Sequence, residues 1–349
     1  MTFIPAEQAL FTAAKVLFAI VGFGLNIAGF LGWVERKQSA VMQDRIGANR
    51  ASIFGFKILG LFHPIADAIK MLTKEDFVPK NAHRLLHALA PVISLGCAMF
   101  CLAALPYGGT VQVAGRAWDL QPIAFSVGVP LVLAILAFGM HGIVMAGYSA
   151  GSNYGLLGAL RGAAQMIAYE VCLASSLAGL LFIYGTLDLQ EAVSWQAAHH
   201  VWGVALQPLA FILFLTAGTA VTKRTPFDLP EGESEIVGYH VEYSGMKFGM
   251  FLMTDFFESI VICGLITALF LGGWTIPFLD LPAMGLLGGA LMIGSFTAKV
   301  MALLFLLMQI RWTLPRFRFD QLLNLGWKNV LPLSLANILL TVWGVYWCR

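Results

Sequence analysis

The 349-residue chain is 59% hydrophobic and only 11% charged, with a formal net charge of +2 and 26 phenylalanines. Soluble domains carry roughly 25% charged residues, so this composition excludes a water-soluble globular protein and predicts an integral membrane protein. Its apolar runs have the length of membrane helices and lack the alternating pattern of a membrane barrel, so the predicted fold class is all-α.

Eight apolar runs are long enough to cross about 30 Å of hydrocarbon as helices. In chain order the predicted spans are 9–34, 85–105, 123–148, 163–184, 201–221, 248–271, 283–310 and 330–347. The first run has no small-residue cleavage site, so it is predicted to be a span and not a signal peptide. Without an internal repeat or a low-complexity linker, residues 1–349 are predicted to form one membrane domain.

The basic residues predict the orientation. The connections after the first, third, fifth and seventh spans hold 17 of the 21 Lys and Arg residues. Cytoplasmic loops are enriched in basic residues, so these connections are predicted to be cytoplasmic and both termini to lie on the outer side.

The first connection, 35–84, is too long to be a simple turn. Apolar residues recur within it at helical spacing, at Ile58, Phe62, Ile65, Ile69 and Leu72. Polar residues fall between them, so an amphipathic helix over 53–74 is predicted at the membrane surface. The alternative, a ninth span, would place Asp67 and Lys70 deep in lipid.

Four ionisable residues fall inside predicted spans: Glu170, Asp255, Glu258 and Lys299. Each would cost roughly 2.5 to 3.5 kcal/mol at the bilayer centre, so they are expected to face the bundle interior or one another. Carboxylates close together titrate as a coupled set, which suits a proton or charge relay. A purely structural ion pair is the alternative, and Glu258 could instead lie near a helix end.

The connection 223–247 carries an unusual number of acidic residues, namely Asp228, Glu231, Glu233, Glu235 and Glu242. Thr225 followed by Pro226 and, at the third helical position, Asp228 predicts that a short helix starts there. Glu231 and Glu235 would then share a face of it. The alternative is a solvated acidic loop.

Other chemistry is not indicated. The chain has no nucleotide-binding fingerprint, nucleophile triad, metal-ligand cluster or haem-ligating His pair, so no metal site and no redox chemistry of its own are expected. His199 and His200 are predicted to lie in a solvated loop, and the five cysteines are expected to be packing residues.

Five segments, in order along nearly the whole chain, carry a resemblance to a known family. They are Glu35-Arg-Lys; His63-Pro-Ile-Ala-Asp-Ala-Ile-Lys-Met-Leu-Thr-Lys-Glu75; Gly158-Ala-Leu-Arg161 with Tyr169-Glu170-Val; Thr225-Pro-Phe-Asp-Leu-Pro-Glu-Gly-Glu-Ser-Glu235 with Glu242-Tyr-Ser-Gly; and Pro315-Arg-Phe-Arg-Phe-Asp-Gln321 with Gly326-Trp-Lys. The chain resembles the H-type membrane subunit of proton-pumping NADH:quinone oxidoreductase, respiratory complex I.

This resemblance implies a tilted eight-helix subunit in a bacterial inner membrane that forms the membrane end of a quinone tunnel. Quinone, either ubiquinone or menaquinone, would enter beside the first span, the sixth span and the surface helix. Iron-sulfur clusters and FMN would belong to partner subunits, and this chain would hold no covalent cofactor. The implied partners are the peripheral-arm subunits, the small membrane subunits and the antiporter-like subunits.

The resemblance also implies residue roles. By motif match, the residues that line or brace the tunnel are Arg36, Arg45, Asp67, Arg224, Phe227, Asp228, Arg316 and Arg318. The implied charge relay consists of Glu170, Glu231, Glu233, Glu235 and Asp255, to which the argument from buried charge adds Glu258 and Lys299.

Several positions depart from the family pattern. Where the family usually has Ala-Glu-Thr-Asn-Arg, this chain reads Ala220-Val-Thr-Lys-Arg224, so one relay carboxylate is missing and Glu258 is a candidate substitute. Ala48 replaces a usual Pro, Tyr148 a common Trp, and Asp255 a more usual Glu. Val221 therefore puts the coupling path in question while leaving quinone binding intact.

Three alternatives remain at this point. A related complex could take electrons from ferredoxin, F420 or a hydrogenase, because the donor cannot be read from this chain. An independent ion transporter would also explain buried charges, but it should show paired broken helices in corresponding halves. A purely structural scaffold is disfavoured by the cost of burying those charges.

Overall fold

The computed structural model describes residues 6–52, 55, 57–113, 116–230, 232, 235–277, 279 and 284–348. Within these residues seven helices are long and apolar enough to cross a membrane, which confirms an all-α multi-pass membrane protein. The eighth predicted span is a shorter helix, so the count of eight is not confirmed.

The first span is a continuous helical rod with a change of winding in its middle. It consists of α1 (Ala6–Leu17), a π-helical segment (Phe18–Leu25) and α2 (Asn26–Met42). The Asn26 side chain donates from Nδ2 to the carbonyls of Val21, at 2.9 Å, and Gly22, at 3.1 Å. This amide satisfies backbone acceptors at the point where the winding changes.

The surface helix α3 (His63–Thr73) is shorter than the predicted 53–74. Residues 53, 54 and 56 lie outside the described part of the chain, and 57–62 form turns. Leu59 and Gly60 have φ of 48° and 83°, and a left-handed backbone cannot continue a right-handed helix. The predicted helix start was therefore wrong. Ile65, Ile69 and Leu72 form an exposed apolar stripe on α3.

The other long helices agree with the predicted spans to within a few residues, with one exception. They are α4 (Arg84–Ala104), α5 (Gly128–Ser149), α6 (Asn153–Tyr184), α10 (Gly245–Phe270), α11 (Gly285–Thr313) and α13 (Leu331–Cys348). The exception is α6, which begins ten residues before the predicted 163. Its 32 residues extend about 48 Å, so it must tilt in the membrane or project beyond it.

The predicted fifth span, 201–221, is interrupted. It consists of α8 (Gly203–Leu206) and α9 (Pro208–Val221), which meet at Gln207. A residue before proline is disfavoured in helical conformation, and Gln207 has φ of −138°. The 14 residues of α9 extend only about 21 Å.

Sequence reasoning missed three elements in the loops between spans. Strands β1 (Thr110–Val113) and β2 (Arg116–Asp119) form an antiparallel hairpin in which Val111 pairs with Trp118. Helix α7 (Leu189–His199) buries Leu189 and Val193, so the solvated loop predicted around His199 was wrong.

Helix α10 lies at the centre of the bundle. In its most apolar window 83% of the residues are buried, against at most 50% in the other six long helices. Small residues permit the close packing: a Cβ at Gly264 would lie 2.6 Å from Leu105. Asp255 and Glu258, both on α10, are therefore carried into the protein interior. The chain ends through α12 (Phe319–Asn324) and a second π-helical segment (Leu325–Val330) that leads into α13.

Candidate functional site

A groove of about 980 Å³ lies between α2, α3 and α10. Its apolar walls include Phe30, Trp33, Ile65, Phe248 and Phe256. Its polar lining includes Asn26, Glu35, Arg36 and Asp67. The groove can therefore accept a long apolar molecule that carries a small polar group.

Close packing fixes the wall formed by α3 and α10. A Cβ on Gly249 would lie 2.6 Å from the Met71 sulfur, so only glycine allows α3 to approach α10 this closely. On the other side the Arg36 guanidinium pairs with the Asp67 carboxylate and ties α2 to α3. Both of these side chains are about 40% exposed, so this pair is an adjustable contact rather than a major source of stability.

Glu35 joins three segments beside the groove. One carboxylate oxygen lies 3.2 Å from Arg224 Nη1, and the other pairs with Arg311. The Arg224 guanidinium also stacks 4.3 Å from the centroid of the Phe256 ring. The carboxylate at the end of the first span is thus bound to the acidic connection and to the end of α11.

The acidic connection does not begin with the predicted helix. Residues 222–230 form turns, Lys223 has φ of 53°, and the Thr225–Pro226 peptide is cis. The prediction of a short helix at Thr225 was wrong, because contacts with α6 and with 315–322 hold this segment instead. The alternative of a solvated loop is also wrong here, because Phe227 and Leu229 are buried.

Gln165 of α6 is the main anchor of this segment. Its Nε2 donates to Ala220 O at 2.6 Å and to Phe227 O at 2.7 Å. One turn along α6, the Tyr169 ring lies 5.9 Å from Phe227, whose other neighbour, Phe317, stacks at 5.4 Å. Phe227 therefore acts as a buried packing residue. Sequence reasoning missed Gln165, whose only signal is an amide in an apolar run.

A buried charge cluster lies where the acidic connection meets α10. We define it as Lys223, Asp255 and Glu258. Lys223 Nζ lies 2.9 Å from Asp255 Oδ1 and 3.4 Å from Glu258 Oε2. The exposed fractions of the three side chains are only 1%, 13% and 3%. Sequence reasoning found both acids but counted Lys223 only among the loop cations.

Two further carboxylates interact with the buried charge cluster. Asp228 interacts electrostatically with Asp255, and Glu170 of α6 with Glu258. Burial raises the pKa of the Asp228 carboxyl above its usual value, an effect opposed by Arg316, whose Nη2 lies 2.9 Å from Oδ2. The acids thus form a series from the connection, through α10, to α6.

Lys299, the fourth ionisable residue of the spans, lies elsewhere. Its Nζ donates to the carbonyls of Leu271 at 2.8 Å, Gly273 at 2.9 Å and Thr275 at 2.7 Å. These carbonyls follow the C-terminus of α10, where a cation is favoured by the helix dipole. The contacts favour the structural role for Lys299 over the relay role.

The remaining predicted residues are dispersed. Of the predicted tunnel residues, Arg36 and Asp67 line the groove. Arg45 and Arg318 are exposed, with Arg318 3.2 Å from Asp320. Glu235 forms an exposed pair with Arg161 at 3.5 Å. Glu231 and Glu233 lie outside the described residues.

Comparison with known proteins identifies the family. The sequence model of the NADH dehydrogenase family matches residues 14–342. The chain is 42% identical to the H-type NADH-quinone oxidoreductase subunit of Thermomicrobium roseum, covering 97% of this chain and 98% of that protein. Identity to the first H-type subunit is 42% in Geobacter metallireducens, covering 98% of each chain, and 37% in Cytophaga hutchinsonii, covering 97% of each. The chain therefore belongs to the NADH dehydrogenase family.

Proposed function

We propose that this chain is the membrane subunit of an NADH-quinone oxidoreductase that forms the membrane end of the quinone tunnel. The observation that carries the proposal is the groove between α2, α3 and α10. Its aromatic and aliphatic walls suit an isoprenoid tail, and its polar lining suits a quinone head. The H-type relatives, similar over almost their entire length, support the same function.

Quinone reduction takes two electrons and two protons and yields a quinol. The electrons come from an iron-sulfur cluster of a partner subunit, and this chain positions the substrate. The Arg36 guanidinium can donate hydrogen bonds to a quinone carbonyl oxygen, and Asp67 holds that guanidinium at the groove. Glu35 and Arg224 connect the groove to the acidic connection, so a change of charge at the head acts on buried carboxylates.

We further propose that the carboxylates relay this charge change towards the proton-pumping subunits. The described relay residues are Asp228, Asp255, Glu258 and Glu170, which interact in that order apart from the two neighbours on α10. The basic connections would face the cytoplasm and the peripheral arm, and both termini would face the opposite side. The antiporter-like subunits would accept the relayed charge.

The alternative functions gain no support from a specific observation. A different electron donor or independent ion transport would leave the groove unexplained or assign it to another ligand. The relatives in Thermomicrobium, Geobacter and Cytophaga are all named as subunits of NADH-quinone oxidoreductase.

The test is to fill the groove in the intact complex. Gly32 lines it, and a Cβ at this position meets no atom within 4 Å. Gly32→Trp should slow reduction of a long-tailed quinone while NADH oxidation by a water-soluble acceptor continues. The matched control is Gly294→Trp, at an exposed α11 glycine with equal space outside the groove. Wild-type quinone reduction in assembled Gly32→Trp complex would refute the proposal.

A further inference from the structure

The buried charge cluster has an odd number of charges. Lys223 contributes one cation, while Asp255 and Glu258 contribute two carboxyl groups within 3.4 Å of its ammonium. If both carboxyls were ionised, one negative charge would remain uncompensated in the protein interior, which is strongly unfavourable. If one carboxyl is protonated, the cluster is neutral.

The surrounding cations are committed to other acids. Arg224 and Arg311 both pair with Glu35, and Arg316 pairs with Asp228. Lys299 binds carbonyls thirteen residues beyond Glu258 along α10, a distance of about 20 Å.

The surrounding acids act in the opposite sense. Glu170 interacts with Glu258, and Asp228 interacts with Asp255, so both add negative potential. The thiol of Cys97 on α4 is a further titratable neighbour of Glu258. These acidic neighbours therefore favour keeping one proton on the Asp255 and Glu258 pair.

We propose that Lys223 is a positioning residue of the relay, whose fixed cation keeps a single exchangeable proton between Asp255 and Glu258. The proton leaves one carboxyl O–H and binds the other carboxylate, while the Lys223 ammonium keeps its own protons and contacts both acceptors throughout. No electron moves in this step. Asp228 biases the proton from the connection side, and Glu170 biases it from α6. The inference rests on the proposed function and names the residue that makes its relay reversible.

Removing the cation changes the number of bound protons. In Lys223→Met both carboxyls can become neutral only by binding a second proton, and then no carboxylate remains to accept the transfer. Lys223→Arg keeps the cation and should preserve the relay. Lys80→Met, at an exposed loop lysine, is the matched control for loss of one positive charge.

The experiment uses the intact complex in proteoliposomes. Proton translocation per NADH, quinone reduction with an uncoupler, and the infrared band of protonated carboxylic acids are measured for each variant. We expect Lys223→Met to lose translocation, to retain uncoupled quinone reduction and to gain intensity in the carboxylic acid band. Lys223→Arg and Lys80→Met should behave like the wild type. Normal translocation with an unchanged band in Lys223→Met would overturn the inference.

A second variant decides the matter if Lys223→Met does not assemble. Glu258→Gln leaves Lys223 and Asp255 as a balanced ion pair, so the shared proton and its infrared band should be lost along with translocation. Retention of the band and of translocation would contradict the inference. A failure of the proposed function would appear differently, as quinone reduction that is insensitive to Gly32→Trp.

Discussion

Two lysines lie within the helical bundle, and their partners differ. Lys299 donates to three backbone carbonyls beyond the C-terminus of α10, whereas Lys223 lies between two carboxylates on the same helix. A backbone carbonyl accepts a hydrogen bond but does not bind a proton near neutral pH, whereas a carboxylate does both. The same side chain is therefore a structural cap at one end of α10 and part of a proton site nearer the other.

The largest effect is expected at Lys299. Lys299→Met removes three hydrogen bonds, and each unsatisfied buried carbonyl costs about 1–3 kcal/mol, so the complex should lose several kcal/mol of stability. Thermal unfolding of the purified complex measures this, with exposed Lys328→Met as the control. A Lys299→Met complex of normal stability but without proton translocation would assign Lys299 to the relay instead.

Gln165→Leu should have the next largest effect. The substitution leaves Ala220 O and Phe227 O without the amide, at about 1–3 kcal/mol each, and loosens the segment that positions Lys223. Quinone reduction and proton translocation should both fall. Ser175→Ala on the same helix removes a contact to Ser334 and serves as the control. Unchanged translocation in Gln165→Leu would show that the buried charge cluster is held by other contacts.

Asp255→Asn tests the proton site directly. The amide keeps the size of the side chain but cannot exchange a proton, so coupled proton movement should fall by about tenfold, equivalent to about 1.4 kcal/mol. Quinone reduction with an uncoupler should remain. Glu170→Gln should show the same pattern, and wild-type coupling in both variants would remove these acids from the relay.

The smallest effect is expected at Arg36. Its pair with Asp67 is partly exposed, so Arg36→Ala should cost no more than about 1 kcal/mol of stability. The KM for quinone should rise several-fold in steady-state kinetics, because the groove loses a hydrogen-bond donor. Arg50→Ala, at an exposed loop residue, should leave the KM unchanged. An unaltered KM in Arg36→Ala would remove Arg36 from quinone binding.

Features that depend on local composition could be predicted from the sequence. Hydropathy located the long helices, and the cost of burying charge identified Glu170, Asp255 and Glu258 before any contacts were known. Features that depend on distant residues could not. Lys223 meets acids 32 and 35 positions away, and the partners of Gln165 lie 55 and 62 positions away. The capping pattern at Thr225 predicted a helix because it ignores such tertiary contacts.

The π-helical segment in the first span determines how its two ends are oriented relative to each other. Lys15 donates to the carbonyls of Asp119 and Gln121 at one end, and Glu35 pairs with Arg224 and Arg311 at the other. An α-helix turns about 100° per residue, so rewinding this segment by one residue would rotate one end by that angle against the other. Because both ends are tied down, the winding around Asn26 sets the azimuth at which Glu35 meets its arginines.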